Sequence, residues 1–179
     1  TVRLMFEFTK KPDSAALSFI IAGAVWFIVG TFYGLFSAIH LMAPEFITNV
    51  PALVFGRTRP IHVNTLLYGF TVSTFIGAGL YYTPALLKTK LWSDPLAWLS
   101  FLFWNITVLS GPVTFSMGKS QGREYCEYLW IFDVFIVLAV ITLAVNIIMT
   151  IIKRVENILY VSVWYYLATF LWIGGSYFL

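Results

Sequence analysis

The chain has 179 residues, of which 60% are hydrophobic and 11% are charged, with a formal net charge of +3 and a mean hydropathy of +0.85. Soluble domains carry roughly twice this fraction of charged residues, so the composition excludes a water-soluble globule. The lysines and arginines form no basic stripe suited to a phosphate backbone, which argues against nucleic acid as a partner.

Long apolar runs predict an all-α membrane protein that crosses the bilayer several times. Each run has about 20 residues or more, the length an α-helix needs to cross a hydrocarbon core, whereas an outer-membrane barrel would show shorter, alternating segments. The sequence therefore predicts a single membrane domain over residues 1–179, folded as a polytopic helical bundle. The five predicted transmembrane helices cover approximately residues 15–42, 61–87, 96–117, 130–152 and 158–179.

Several residues inside these runs are expected to mediate helix packing. Small residues let helix backbones approach closely in lipid, and amides form hydrogen bonds between helices. The residues concerned are Gly23, Gly30, Gly34, Asn105 and Asn146. Pro60 directly precedes the second predicted helix, where a first turn tolerates its missing N–H.

The distribution of lysine and arginine predicts a cytoplasmic N-terminus, because these residues are retained on the cytoplasmic side. Seven lie on the N-terminal side of the bundle and four on the other side. With five helices, the C-terminus is predicted at the outer face. The loop before the second helix and the loop before the fourth then lie together outside.

Residues 55–64 contain a histidine and two arginines at the start of an apolar segment. His62 is predicted in the first turn of the second helix and His40 in the last turn of the first. A neutral imidazole at the end of an apolar helix suits haem iron, but a packed interfacial histidine is the alternative. Arg57 and Arg59 would suit anionic propionates, or they are ordinary interfacial arginines.

The loop 118–129 is the most polar part of the chain and contains two carboxylates three residues apart, Glu124 and Glu127. Such oxygens suit a hard cation such as calcium, although solvated loop acids are the commoner outcome. Asp133 is predicted about one and a half turns inside the fourth helix. A carboxylate there is costly unless it is paired or faces water.

Three segments resemble a known family. Gly56-Arg57-Thr58-Arg59-Pro60-Ile61-His62-Val63-Asn64 resembles the Gly-Arg-x-Arg-Pro-x-His-x-Asn signature of subunit I of the cbb3-type cytochrome c oxidases, the C-type haem-copper oxidases. Residues 124–133 resemble the family's Glu-Tyr-Ala-Glu-x-x-Trp-x-x-Asp, with Cys126 in place of alanine. Residues 160–164 resemble its Tyr-Val-Ala-Asn-Trp less closely. The resemblance covers nearly the whole chain.

The resemblance implies that His62 is one axial ligand of a low-spin haem b, whose propionates Arg59 and Arg57 would hold. Glu124 falls where the family binds a calcium that bridges the propionates of its two haems. No role is implied for His40. The chain would be the N-terminal part of the catalytic subunit, a multi-pass protein of the inner membrane. The binuclear centre would lie outside this stretch, since no histidine follows His62.

For the whole assembly, the resemblance implies electron delivery by c-type cytochrome subunits to the low-spin haem b. A high-spin haem b and copper would then reduce oxygen to water with proton pumping. The remaining transmembrane helices of subunit I would be supplied by a companion polypeptide or by a longer chain, because residues 174–179 end without a polar tail.

Three alternatives stay open at this point. The first is the large subunit of a nitric oxide reductase, which has the same fold but uses non-haem iron in place of copper. The second is a b-type cytochrome in which His40 and His62 ligate one haem. The third is a haem-free structural subunit.

Overall fold

The structure, a computed structural model, describes the backbone of residues 11–178 and the side chains of this range up to residue 173. Within these residues the chain forms five α-helices and no strands, which confirms the all-α prediction. The helices are α1 Ser14–Met42, α2 Phe55–Leu86, α3 Asp94–Ser116, α4 Trp130–Ile152 and α5 Val161–Phe178.

Four of these helices, α1 to α4, are long and apolar enough to cross a membrane. Within α5, Val161–Ile173 forms a shorter apolar helix by the same measure. The chain is thus a multi-pass helical membrane protein. The fifth span and the orientation of the termini stay predictions.

Helix α2 begins at Phe55, several residues before the predicted start near residue 61. A short 3-10 turn at Pro51–Leu53 precedes it. Consequently Arg57 and Arg59 belong to the helix itself, and His62 lies about two turns from its start rather than in the first turn.

Pro60 accounts for this error, because the prediction took it as the beginning of the helix. It lies inside α2, where it removes one backbone hydrogen bond, the one to the carbonyl of Gly56 in the first turn. The carbonyl of Pro60 accepts a hydrogen bond from Asn64 Nδ2 at 2.9 Å. A proline this close to the start leaves the rest of the helix intact.

A second feature of α2 has no counterpart in the prediction. Residues Thr65–Val72 are π-helical, between α-helical Phe55–Asn64 and Ser73–Leu86. Such segments inside α-helices are frequent at functional sites.

The chain divides into two compact units. Unit A consists of residues 21–74 and 104–136, and its most buried side chains include Ile61, Val108, Phe115 and Tyr128. Unit B consists of the described parts of residues 1–20, 75–103 and 137–179, and its most buried side chains include Phe19, Leu80, Leu87, Ile147 and Val163. All predicted site residues belong to unit A.

The predicted packing residues contact other helices. A Cβ atom added at Gly23 would lie 2.7 Å from Thr74 Oγ1 of α2, so the small residue permits the observed approach. Trp26 Nε1 of α1 donates to Asn105 Oδ1 of α3 at 3.0 Å. In unit B, Asn146 Nδ2 donates to the carbonyl of Ser93, the residue before α3, at 2.8 Å. These observations confirm the packing role predicted for Gly23 and Asn105, whereas Asn146 bonds to the residue before α3 rather than to another helix.

Candidate functional site

The ring of His62 is held against α1 by one hydrogen bond. Its Nδ1 lies 2.8 Å from the carbonyl oxygen of Gly30. Because a carbonyl oxygen can only accept, Nδ1 carries the proton and donates it. The neutral tautomer then keeps its lone pair on Nε2, the arrangement that metal-binding histidines use.

Gly34 of α1 makes this position possible. A Cβ atom at Gly34 would lie 2.5 Å from Cε1 of His62 and 2.6 Å from Nδ1, closer than real contacts allow. A Cβ atom at Gly30 would lie 2.8 Å from Cδ2 of Leu66. The missing side chain at Gly34 therefore leaves room for the imidazole, and the one missing at Gly30 leaves room for Leu66 of α2. The residues present fit a single histidine ligand to a haem iron.

Arg57 and Arg59, two residues apart in α2, have different partners. Arg57 Nη1 donates to the carbonyl of Ser116 at 2.8 Å, at the last residue of α3. The final carbonyls of a helix have no partner within it, so Arg57 caps α3. Gly118, with a φ of +75°, follows closely, and a Cβ atom there would lie 3.1 Å from Arg57 Nη2.

Arg59 instead forms an ion pair with Glu124, whose Oε1 accepts from Nη2 at 2.9 Å. Both side chains are more than half exposed, at 51% and 59%. Exposed ion pairs contribute little to stability, so either partner can turn to a charged ligand at little energetic cost.

The carboxylate of Glu127 points to a third residue of α2. Its Oε2 accepts from Asn64 Nδ2 at 2.8 Å. Tyr68, one turn further along α2, donates its hydroxyl hydrogen to the carbonyl of Tyr125. The segment around His62 and the segment 124–133, found as separate patterns in the sequence, are therefore directly bonded to each other.

Asp133 lies in the first turn of α4, close to the predicted position about one and a half turns inside this helix. Gln121 Nε2 donates to its Oδ2 at 2.8 Å and also to the carbonyl of Tyr128. The expected partner of this carboxylate therefore exists. The sequence did not predict Gln121 as this partner, because no local motif distinguishes it from other polar loop residues. Asn64, in contrast, belongs to the motif that contains His62, two residues after it.

Several buried polar atoms next to this network have no hydrogen-bond partner within the described part of the chain. They are Asn64 Oδ1, Thr65 Oγ1 and the hydroxyl of Tyr128. Complete burial raises the pKa of Tyr128 well above its ordinary value, so its hydroxyl stays protonated. Buried polar atoms normally have hydrogen-bond partners, so this part of unit A is a candidate place for a bound group or water.

His40 is separated from His62. Its Nδ1 bonds to the carbonyl of Phe36 at 2.7 Å, while His62 Nδ1 bonds to that of Gly30. These two carbonyls are six residues apart on one helix, which is about 9 Å along its axis. The two imidazoles are thus anchored at different levels of α1. The cytochrome with both histidines on one haem stays an alternative, which the His40→Ala variant tests.

Nε2 of His40 is buried and has no partner among the described residues, and the side chain is 6% exposed. The described residues contain no group of three or more His, Cys, Asp and Glu that could hold a metal ion. Calcium at Glu124 and the haem at His62 stay predictions.

The chain is similar to known oxidase subunits. The family model for cytochrome c and quinol oxidase polypeptide I matches residues 14–178. Among similar curated proteins, the cbb3-type cytochrome c oxidase subunit CcoN1 of Stutzerimonas stutzeri is 30% identical over 148 residues, covering 83% of this chain and 31% of that protein.

Two further relatives have a similar degree of likeness. Cytochrome c oxidase subunit 1 of Rhodobacter capsulatus is 29% identical, over 87% of this chain and 30% of its own length. A cytochrome c oxidase subunit 1 homolog of Agrobacterium tumefaciens (strain T37) is 27% identical, over 89% of this chain and 30% of its own length. The chain thus spans about three tenths of the length of these relatives.

Proposed function

Because the chain belongs to the cytochrome c and quinol oxidase polypeptide I family, we propose that it is the N-terminal part of the catalytic subunit of a cbb3-type terminal oxidase. His62 is an axial ligand of low-spin haem b in this proposal. The observation that carries it is the hydrogen bond from His62 Nδ1 to the carbonyl of Gly30, which leaves Nε2 to bind iron.

The charged residues of unit A extend this assignment. Arg59 pairs with a haem propionate through the guanidinium that now binds Glu124, since a planar guanidinium matches a carboxylate. Arg57 contributes a positive charge near the same group while it caps α3. Glu124, released from Arg59, would be one ligand of a calcium ion, since carboxylate oxygens suit a hard cation.

A haem bound here supplies one-electron chemistry. The chain's own residues orient it through His62, neutralise its propionates through Arg59, and limit its solvent access through the apolar α1 and α2. The electrons would come from c-type cytochrome subunits. The remaining transmembrane helices of subunit I would carry the high-spin haem b and copper at which oxygen is reduced to water, coupled to proton pumping across the inner membrane.

Oxygen is favoured over nitric oxide as the substrate of that assembly. The relatives named above are described as subunits of cytochrome c oxidases or their homologues. In addition, the Arg-x-Arg-Pro pattern of Arg57 to Pro60 and the Tyr-Val-x-x-Trp pattern of Tyr160 to Trp164 resemble the cbb3-type oxidases.

The test compares His62→Ala with His40→Ala in the purified complex. We expect His62→Ala to abolish the low-spin haem signal in the electron paramagnetic resonance and visible spectra, because the iron loses an axial ligand. His40→Ala should leave that signal unchanged. Haem content and thermal unfolding of both variants provide the control for folding. A low-spin signal that survives His62→Ala, or disappears in His40→Ala alone, would overturn the proposal.

A further inference from the structure

Unit B contains an open cavity of about 540 Å³ where α1 and α3 begin and α2 ends. Polar side chains line it, among them Asp13, Tyr81, Thr89, Lys90 and Asp94. A second cavity of about 400 Å³ shares Pro12, Asp13 and Tyr81 with the first. The two cavities are therefore adjacent, and together they are called the groove.

The lining changes from charged to apolar along this groove. The second cavity is lined by Ala16, Leu17 and Ile20 of α1, together with Lys11. Asp13 and Ile20 are seven residues apart, about 10 Å along a helix axis. Leu17 and Ile20 are both exposed, at 47% and 40%. The apolar part has the length and exposure to hold the upper part of an acyl chain.

The position of the groove fits the boundary between lipid and water. The ends of membrane helices lie at the headgroup level, and the charged part of the groove lies at three such ends. Tyr81 is 58% exposed and lines both cavities. Amphipathic aromatic rings are enriched at this level of a membrane.

Charge in the groove is balanced. Its lining contains two lysines, Lys11 and Lys90, and two aspartates, Asp13 and Asp94. None of these four residues takes part in the salt bridges of the described residues, which are Arg59 with Glu124 and Lys88 with Glu156. The ammonium groups suit a phosphate, and the carboxylates suit a hydrogen-donating cation. An anionic headgroup would leave the two carboxylates unmatched, and a choline would offer them no N–H.

We propose that this groove binds one phospholipid with a phosphoethanolamine headgroup. Lys90 and Lys11 contact the phosphate, Asp94 and Asp13 contact the primary ammonium group, and one acyl chain lies along Leu17 and Ile20. The inference is independent of the haem at His62, because every residue of the groove belongs to unit B.

The test measures which lipid stays with the purified complex. The complex is placed in nanodiscs of equal parts phosphatidylethanolamine, phosphatidylcholine and phosphatidylglycerol, and bound lipid is counted by native mass spectrometry. We expect retention of phosphatidylethanolamine, weakened about fivefold by Lys90→Gln, since a lysine at a membrane surface contributes about 1 kcal/mol per charge. Asp94→Asn should act in the same direction.

Two matched controls separate the groove from general effects. Lys119→Gln removes an exposed lysine of the loop after α3 and should leave retention unchanged. Leu17→Trp should fill the acyl part and reduce retention, whereas Leu41→Trp, at a 72% exposed position of the same helix, should not. Equal retention of the three lipids, no retained lipid, or equal effects of Lys90→Gln and Lys119→Gln would overturn the proposal.

Discussion

The orientation of His62 depends on the absence of a side chain at Gly34. The ring occupies the space beside Gly34, and its Nδ1 reaches the carbonyl of Gly30 through that space. A histidine two turns into an apolar helix would otherwise turn toward whichever polar atom is nearest. Here the contact with α1 fixes both the tautomer and the direction of Nε2.

We therefore predict that Gly34→Ala impairs haem binding. The added Cβ atom, 2.5 Å from Cε1, must displace the imidazole, and overpacking of this kind costs about 1–3 kcal/mol. The measurement is the haem content and the low-spin spectrum of the purified complex.

Gly23→Ala is the matched control for this variant. It introduces a similar clash between the same two helices, at Thr74, without touching His62. It should lower thermal stability by a comparable amount and retain the haem. Loss of haem in both variants would mean that helix packing in general, rather than the position of the ring, controls binding.

The two arginines before His62 are expected to behave differently when replaced. Arg57→Gln removes the hydrogen bond to the carbonyl of Ser116 and should lower the free energy of unfolding by about 1 kcal/mol. Arg59→Gln breaks only an exposed ion pair and should change stability little.

The reduction potential of the haem distinguishes the role of Arg59. In the proposed site Arg59 pairs with a haem propionate. Loss of its positive charge favours the oxidised, more positive state of the haem, so Arg59→Gln should lower the potential. Arg123→Gln, at an exposed position of the loop between α3 and α4, serves as the control. An equal shift in both variants would contradict a specific role of Arg59.

At the scale of one helix, the π-helical segment of α2 is explained by contacts with α3. The carbonyl of Tyr68 accepts a hydrogen bond from Trp104 Nε1 at 3.1 Å and from Ser73 Oγ at 3.1 Å. Trp104 Nε1 also lies 3.0 Å from Ser73 Oγ. These side chains compete with the usual backbone donor, which favours the wider turn.

Trp104→Phe is predicted to destabilise unit A by about 1 kcal/mol, because hydrogen bonds between membrane helices contribute on average somewhat less than this each. The ring volume is largely retained, so the effect reports mainly the lost N–H. Trp130→Phe, at a 72% exposed position of α4, should have little effect. Thermal unfolding in detergent checks both variants, and equal melting temperatures would contradict the prediction.

At the scale of the whole molecule, unit B joins two distant turns of the chain. The carbonyl of Leu87 accepts from the backbone N–H groups of Val155 and Glu156, at 3.1 and 3.2 Å. Lys88 Nζ lies 2.8 Å from Glu156 Oε2. The turn after α2 is thereby tied to the turn after α4.

The ion pair makes this tie dependent on pH. Its hydrogen bond and opposite charge lower the pKa of Glu156 from the ordinary 4.5 and raise that of Lys88 from 10.5. The stabilisation is therefore present between these values. It is lost as pH falls from 4.5 through the lowered pKa of Glu156, and as pH rises from 10.5 through the raised pKa of Lys88.

Thermal unfolding as a function of pH tests this expectation. The difference in stability between the wild type and Glu156→Gln should be small but positive at neutral pH and should vanish at both extremes. Glu45→Gln, at an exposed loop position, should show no such difference. A difference that persists at acid pH would assign it to packing rather than to charge.

Much of the fold was predictable because the determining signals are local. The apolar runs predicted α1, α3 and α4 to within about two residues. The start of α2 was not predictable in the same way, since a proline is compatible with both the first turn and a position slightly further inside. The π-helical segment could not be predicted, because its cause lies in α3.

The sequence alone determined that this protein is an all-helical membrane protein, and it identified His62, Arg57, Arg59 and Glu124 as candidates, since hydrophobic length and short motifs are properties of consecutive residues. Only the tertiary structure decided which atoms these residues use. The partners of His62, Arg59 and Asn64 are 32, 65 and 63 residues away in the chain. Contacts over such separations depend on helix packing, and the one with Gly30 leaves Nε2 of His62 free of that hydrogen bond.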